Sequence, residues 1–152
     1  MSIVEEFLTS KEELEIVQAI RQAERNTSGE IRVHIEKSTE ISHYNRALEV
    51  FRMLKMFNTK QQNAVLIYIA VDDHKFVIYG DKGIDKVVPN DFWDTTKNTM
   101  QIQFKEGNFK QGIIDGILKA GEELKAHFPW HIDDEDELLS LIHISEPTRH
   151  TR

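Results

Sequence analysis

The chain has 152 residues, no cysteine and a formal net charge of −7. That length suits one domain, and the missing thiols exclude disulfides, thiolate zinc sites and a cysteine nucleophile. The acidic balance argues against nucleic acid or an anionic membrane as partner, since both need a basic footprint.

The opening residues, MSIVEEFLT, lack the positive start and apolar run of a signal peptide. No stretch approaches the ~18 apolar residues of a membrane span. The expectation is a cytoplasmic protein without direct membrane insertion. Ser10 and Glu13 have the spacing of a capping box, and Leu14, Val17 and Ile20 follow at helical intervals, predicting a helix over about Lys11–Arg25. Asn26 to Gly29 breaks it. Glu30 to Glu36 alternates, with Ile31, Val33 and Ile35 on one face and Arg32 and His34 on the other, as in a strand with one face less fully buried. Ala47, Leu48, Phe51, Leu54 and Phe57 mark a second helix from about His43 to Phe57.

Asn63 to Val71 contains AVLIYIAV, short and almost wholly apolar, which reads as a central strand buried on both faces. The turn Asp72 to Lys75 and the strand Phe76 to Tyr79 complete a hairpin. A loop, Gly80 to Asp85, comes next. After Pro89-Asn90 a third long helix begins, with Asp91 at its start and Phe92, Trp93, Thr96, Met100 and Phe104 along it. Phe109 to about His127 forms a fourth, with Gly112, Gly116 and Ala120 at four-residue intervals. A small-residue face of this kind serves a membrane dimer seam or close packing within a globular fold. The interleaved Asp115, Lys119 and Glu122 favour the second.

The domain is expected to span residues 1–130. Residues 131–152 hold the acidic run DDEDE and then LSLIHISEPTR, which looks like the translation of a sequencing adapter. This tail is expected to be an acidic linker and an artefactual end. The element order α-β-α-β-β-α-α predicts an α/β fold with a small mixed sheet. The first two strands should be parallel through a helical crossover and the third antiparallel.

That topology brings Gly29-Glu30, Asn63 and Gly80 to one end of the sheet and Asp72-Asp73 to the other. Glu30 then approaches the loop holding Asp81 and Asp85, with Asp91 near. Converging carboxylates repel unless a cation or ordered water intervenes, and Ca²⁺ and Mg²⁺ favour such oxygen ligands. Glycines at 80 and 83 let backbone carbonyls turn inward. The same residues also suit an ordinary solvated acidic turn, and the pattern is not that of an EF-hand. No zinc-binding histidine pair, phosphate-binding glycine loop or nucleophile elbow is present.

Three segments, SGEIRVHIE after a capped helix, NAVLIYIAVDDHKFVIYGDKGID with a following proline and Asp, and FKEGNFKQGIIDGI, together resemble the TPM domain family. The resemblance runs from about Ser10 to Trp130 and points to a short bacterial branch. It implies an α/β/α sandwich, divalent-cation binding in loops and, for some members, phosphatase activity on a phosphomonoester. Motif matching carries Glu30, Gly80, Gly83, Asp85 and Asp91 across as site candidates; Asp81 is added from the geometry above. Two readings follow: a slow metal-dependent hydrolase, with Arg32 and Lys82 the nearby cations for a phosphate, or a non-catalytic, cation-dependent interaction module accessory to membrane or stress proteins.

Overall fold

The computed structural model describes residues 7–129; the expected acidic linker and adapter-like tail lie outside them. Helix α1 (Ser10–Glu24) starts one residue before the expected box. Thr9 is the N-cap, its hydroxyl accepting from Glu12 N–H at 3.1 Å while the Glu12 carboxylate accepts from Thr9 N–H at 2.9 Å. Two overlapping boxes exist in this stretch, and the earlier one leaves Leu8 buried just ahead of the cap. The core stripe of α1 is Ile16, Val17, Ala19, Ile20 and Ala23, whereas Leu14 is exposed.

Strand β1 (Glu30–Glu36) is parallel to β2 (Ala64–Ala70), with Glu30 opposite Ala64 and Glu36 opposite Ala70. Strand β3 (Lys75–Gly80) is antiparallel to β2, with Val65 opposite Gly80. The sheet order is β1-β2-β3, so the strand with no polar residue is the central one. Helix α2 (His43–Met53) connects β1 to β2. It stops short of the expected Phe57 because Lys55 adopts a left-handed backbone (φ 56°) and a 3₁₀ turn, Met56–Asn58, follows.

Alternation along the strands sorts the residues into two cores. Ile31, Val33, Val65, Ile67, Ile69 and Ile78 meet Ile20, Met100, Ile113, Ile117 and Leu124 from α1, α4 (Asp94–Lys105) and α5 (Phe109–His127). On the opposite face Ala64, Leu66, Tyr68 and Ala70 meet Ala47, Val50 and Phe51 of α2. Each fully buried isoleucine in these layers contributes about 1.5–3 kcal/mol of burial free energy. The result is an α/β/α sandwich with a mixed sheet, as the pattern and the resemblance imply.

Glycines set how closely α5 approaches its neighbours. A Cβ at Gly116 would stand 2.4 Å from Met100 Sδ on α4, and one at Gly121 would stand 2.7 Å from Ala23 Cβ on α1. The small-residue face is thus a close-packing device between helices. At its end, Phe128 returns to the start of β1: its carbonyl accepts from Ser28 N–H at 2.9 Å and from the Thr27 hydroxyl at 2.5 Å. Among the described residues, no helix is long and apolar enough to cross a membrane.

Candidate functional site

The expected loop after β3 is partly helical. Asp81 is the N-cap of a single turn, α3 (Lys82–Asp85), its Oδ1 accepting from Lys82 N–H at 2.8 Å. An Asx cap competes well with open loop here because it satisfies a donor that the turn leaves free. The Asp81 side chain is only 4% exposed, and its other oxygen, Oδ2, is buried without a hydrogen-bond partner.

Asp81 is fixed at the sheet end by its own N–H, which donates to the Ala64 carbonyl at 3.0 Å. Glu30 stands on the other side of Ala64, so the two acidic residues flank it, about 10 Å apart across two strand spacings. Glu30 is tied to Arg32, with Nε to Oε2 at 2.8 Å. Asp85 ends α3 and is exposed. Asp91 is exposed in a turn whose carbonyl accepts from Asp94 N–H at 3.0 Å; α4 begins only at Asp94, not at Asp91 as expected, because the segment from Pro89 to Trp93 is spent on turns.

The structure therefore gathers part of the expected set. Asp81 and Asp85 sit at the two ends of α3, and the Tyr79 phenol is pushed up first by burial, then by Tyr44 and then by the charge of these two carboxylates, with Arg52 opposing. Glu30 is held by Arg32 and Asp91 stands in the later turn. Among the described residues no group of three or more His, Asp or Glu side chains is arranged to hold a metal ion. Backbone oxygens complete the surroundings of α3. Gly83 N–H donates to the Gln62 carbonyl at 2.8 Å, and a Cβ at Gly83 would lie 2.0 Å from the Gln61 carbonyl oxygen and 2.6 Å from that of Gln62. Gly80 faces Trp93: a Cβ there would be 3.3 Å from the indole nitrogen.

The opposite end of the sheet carries a network that periodicity did not reveal. Glu36, at the end of β1, accepts two bonds from Arg46 of α2, Nε to Oε2 and Nη2 to Oε1, both 2.9 Å. It also accepts a short bond from the Tyr68 hydroxyl and one from His34 Nε2 at 3.2 Å. Burial alone would push the Glu36 carboxyl up; the bonds from Arg46, Tyr68 and His34 outweigh it and hold the group at about 2. The Tyr68 phenol is raised by burial and by donating to Glu36. Beside this, His43 Nε2 donates to Asp73 at 2.9 Å and Thr39 N–H to the same oxygen at 3.2 Å, which keeps Asp73 below the ordinary carboxylate range. The available signal was that Glu36 shares a strand face with Arg32 and His34; its partners lie 10 and 32 residues away and depend on register. With every oxygen of Glu36 engaged, this cluster reads as a clamp between β1, β2 and α2.

The TPM domain family matches residues 3–123. The BA42 protein from the psychrophilic bacterium Bizionia argentinensis, solved by NMR, is 66% identical; the match covers 86% of this chain and 90% of that one, with a TM-score of 0.81. The N-terminal domain of a protein from P. gingivalis is 19% identical over 82% of each chain (TM-score 0.68). The N-terminal domain of the cg2496 protein from Corynebacterium glutamicum is 12% identical over 77% of this chain and 74% of that one (TM-score 0.62). These last two show a shared fold alone. No curated protein matches the chain. With a family match over most of its length and the three segments in their expected order, this chain belongs to the TPM domain family.

Proposed function

We propose that the chain is a divalent-cation-binding domain and that Ca²⁺ or Mg²⁺ is held at the β3–α3 junction. The observation that carries this reading is Asp81 Oδ2, a carboxylate oxygen buried without a partner. An uncompensated buried charge costs several kcal/mol, and a hard cation would offset that cost. In this reading Asp81 and Asp85 would supply charge, and backbone carbonyls and water, neutral oxygens of the kind calcium sites use, would complete the set. Glu30 is a further ligand if it exchanges Arg32 for the ion, and Asp91 stands at the margin.

A bound cation would polarise a phosphate oxygen and lower the pKa of a water. For a phosphomonoester substrate, however, Arg32 is already engaged by Glu30, which leaves Lys82, of the two expected there, as the one outside the ion pairs of the described residues. This favours a binding or interaction role over fast hydrolysis, and any phosphatase turnover should be slow and abolished by chelator.

The test is a Ca²⁺ and Mg²⁺ titration read by thermal melting and by the amide shifts of Gly80–Asp85 in NMR. Affinity is expected in the range of roughly 10⁻⁵–10⁻³ M, as for open, weakly charged sites, and saturating cation should raise Tm. Asp81→Asn keeps the cap, since Asn caps as well as Asp, but removes the charge. It should therefore melt higher than the parent without cation and lose the cation-induced rise. Asp72→Asn, at the other sheet end, should behave as the parent. If Asp81→Asn keeps the full cation response, the ion does not bind at this junction.

A further inference from the structure

At the hairpin end of the sheet, remote from the β3–α3 junction, a cavity of about 570 Å³ opens between the β2–β3 hairpin and the α4–α5 corner. Its size falls within the range of pockets that hold small organic ligands. Four of the chain's eight phenylalanines line it, Phe7, Phe76, Phe104 and Phe109. Their rings form a continuous series: Phe7 to Phe109 at 4.9 Å between centroids, Phe109 to Phe104 at 6.0 Å, and Phe104 to Phe76 at 5.3 Å, edge to face. Packing accounts for Phe104, which lies against Gly112. It does not account for Phe109, which remains 42% exposed.

The charge at the mouth is opposite to that of the whole chain. The protein carries a net −7, yet Lys75, Lys105 and His74 border this cavity against a single carboxylate, Asp72. Both lysines are exposed, and neither is among the ion pairs of the described residues, whereas Lys110 and Lys119 nearby on α5 are paired with Glu15 and with Glu122 and Glu123. An aromatic floor with two exposed ammonium groups at its edge is complementary to a molecule with an apolar body and an anionic head.

We propose that this cavity binds a small amphipathic carboxylate, its apolar tail among the four phenylalanine rings and its carboxylate between Lys75 and Lys105. The aromatic surface supplies most of the affinity through burial, and the lysines select the sign of the head group. Lysine is a point charge rather than a planar fork, so the site discriminates by charge and tail more than by head-group geometry. This reading does not depend on cation binding at the other end of the sheet.

The experiment uses the full chain and decanoate, below the concentration at which it forms micelles, followed by amide shifts in NMR. Shifts are expected at Ile69–Phe76 and Gln101–Phe109 and not at Gly80–Asp85. Lys75→Glu combined with Lys105→Glu changes two exposed residues and should weaken binding by roughly tenfold, somewhat more than the loss of two exposed ion pairs. Decanol should bind the parent more weakly than decanoate, and the double variant should reduce or reverse that preference. The proposal is overturned if decanoate produces no shifts at millimolar concentration, or shifts elsewhere. It is also overturned if decanol and decanoate bind the parent equally. Two further outcomes assign the cavity to another occupant: concentration-dependent shifts at the same residues without ligand would point to a second copy of the chain. Sedimentation with anionic phospholipid vesicles without a decanoate response would point to a membrane surface.

Discussion

Gly83→Ala should lower stability by about 3 kcal/mol, the upper end of the usual cost of overfilling a packed site, and lower Tm by roughly 10 °C. The reason is local and backbone-based. The new Cβ would stand 2.0 Å from one carbonyl oxygen and 2.6 Å from another, both in the segment leading into β2. Relief requires moving either α3 or the start of the central strand, and the Gly83 N–H bond to the Gln62 carbonyl opposes that movement. Gly107→Ala is the informative control. Gly107 has φ 81° with open space around its would-be Cβ, so its substitution should cost only the left-handed backbone penalty of about 1–2 kcal/mol. Equal losses for the two variants, measured by chemical denaturation, would remove crowding as the explanation at Gly83. The same variant also bears on the proposed cation site, because a displaced α3 carries Asp81 and Asp85 with it.

The second large effect lies at the other end of the sheet. Glu36→Gln should destabilise the fold by about 2 kcal/mol at neutral pH, because it takes from the partly buried Arg46 guanidinium its two-point anion, leaving only the more exposed Glu49 on Nη1, and weakens the bond from Tyr68. It should also change the shape of the acid limb. Glu36 has a folded-state value of about 2 against an ordinary 4.5, so its contribution is complete above about pH 4.5 and is lost as pH falls through 2. Solvent screening at this partly exposed group limits that pH-dependent part to about 1–2 kcal/mol. Many other carboxylates titrate in the same window, so the useful quantity is the stability difference between parent and Glu36→Gln as a function of pH. That difference should shrink steadily from pH 4.5 to pH 2. A constant difference would mean that Glu36 acts by packing and not by charge. Tyr68→Phe should cost less, about 1 kcal/mol, since Arg46 still neutralises the carboxylate.

The contrast between the two sheet ends explains what was legible in the sequence. β1 and α5 match their expected bounds, and β2 differs by one residue at each end, because each has an unbroken period of two or 3.6, or a run with no polar residue, ended by turn residues. Parallel and antiparallel pairing followed from the lengths of the connections. That was enough to bring Glu30 and Asp81 to the same edge. It was not enough to show that Arg32, two residues along the same strand face, takes up Glu30, or that Asp81 turns its oxygen inward as a cap. These are rotamer choices, decided by which donor is nearest after folding. Short elements were missed for a related reason: a one-turn helix such as α3 has no period to detect, and Pro89-Asn90 signals a break without saying how many turn residues follow. The Glu36 network depends on register between β1 and β2 and on where α2 crosses them, neither of which local pattern encodes. The cavity at the hairpin end is similar, since its four phenylalanines come from separated segments.

The central strand has a consequence for how the chain reaches its fold. In the native state β2 is covered on both faces and paired along both edges. Before that state forms, Ala64–Ala70 is an uncharged stretch of aliphatic and aromatic residues with neither proline nor glycine, the profile of a segment that pairs readily with copies of itself. Its edge toward β3 is closed by a tight hairpin, a local event of microseconds. Its other edge waits for β1, which must come from beyond the whole of α2 in a non-local parallel pairing that forms slowly. Asp72 and Asp73, one residue past the strand, act as charged gatekeepers in that interval. Substitutions that delay the docking of β1, such as those at the Glu36–Arg46 clamp, should therefore be felt first as insoluble protein during synthesis, at a temperature where the folded molecules that do form are still intact.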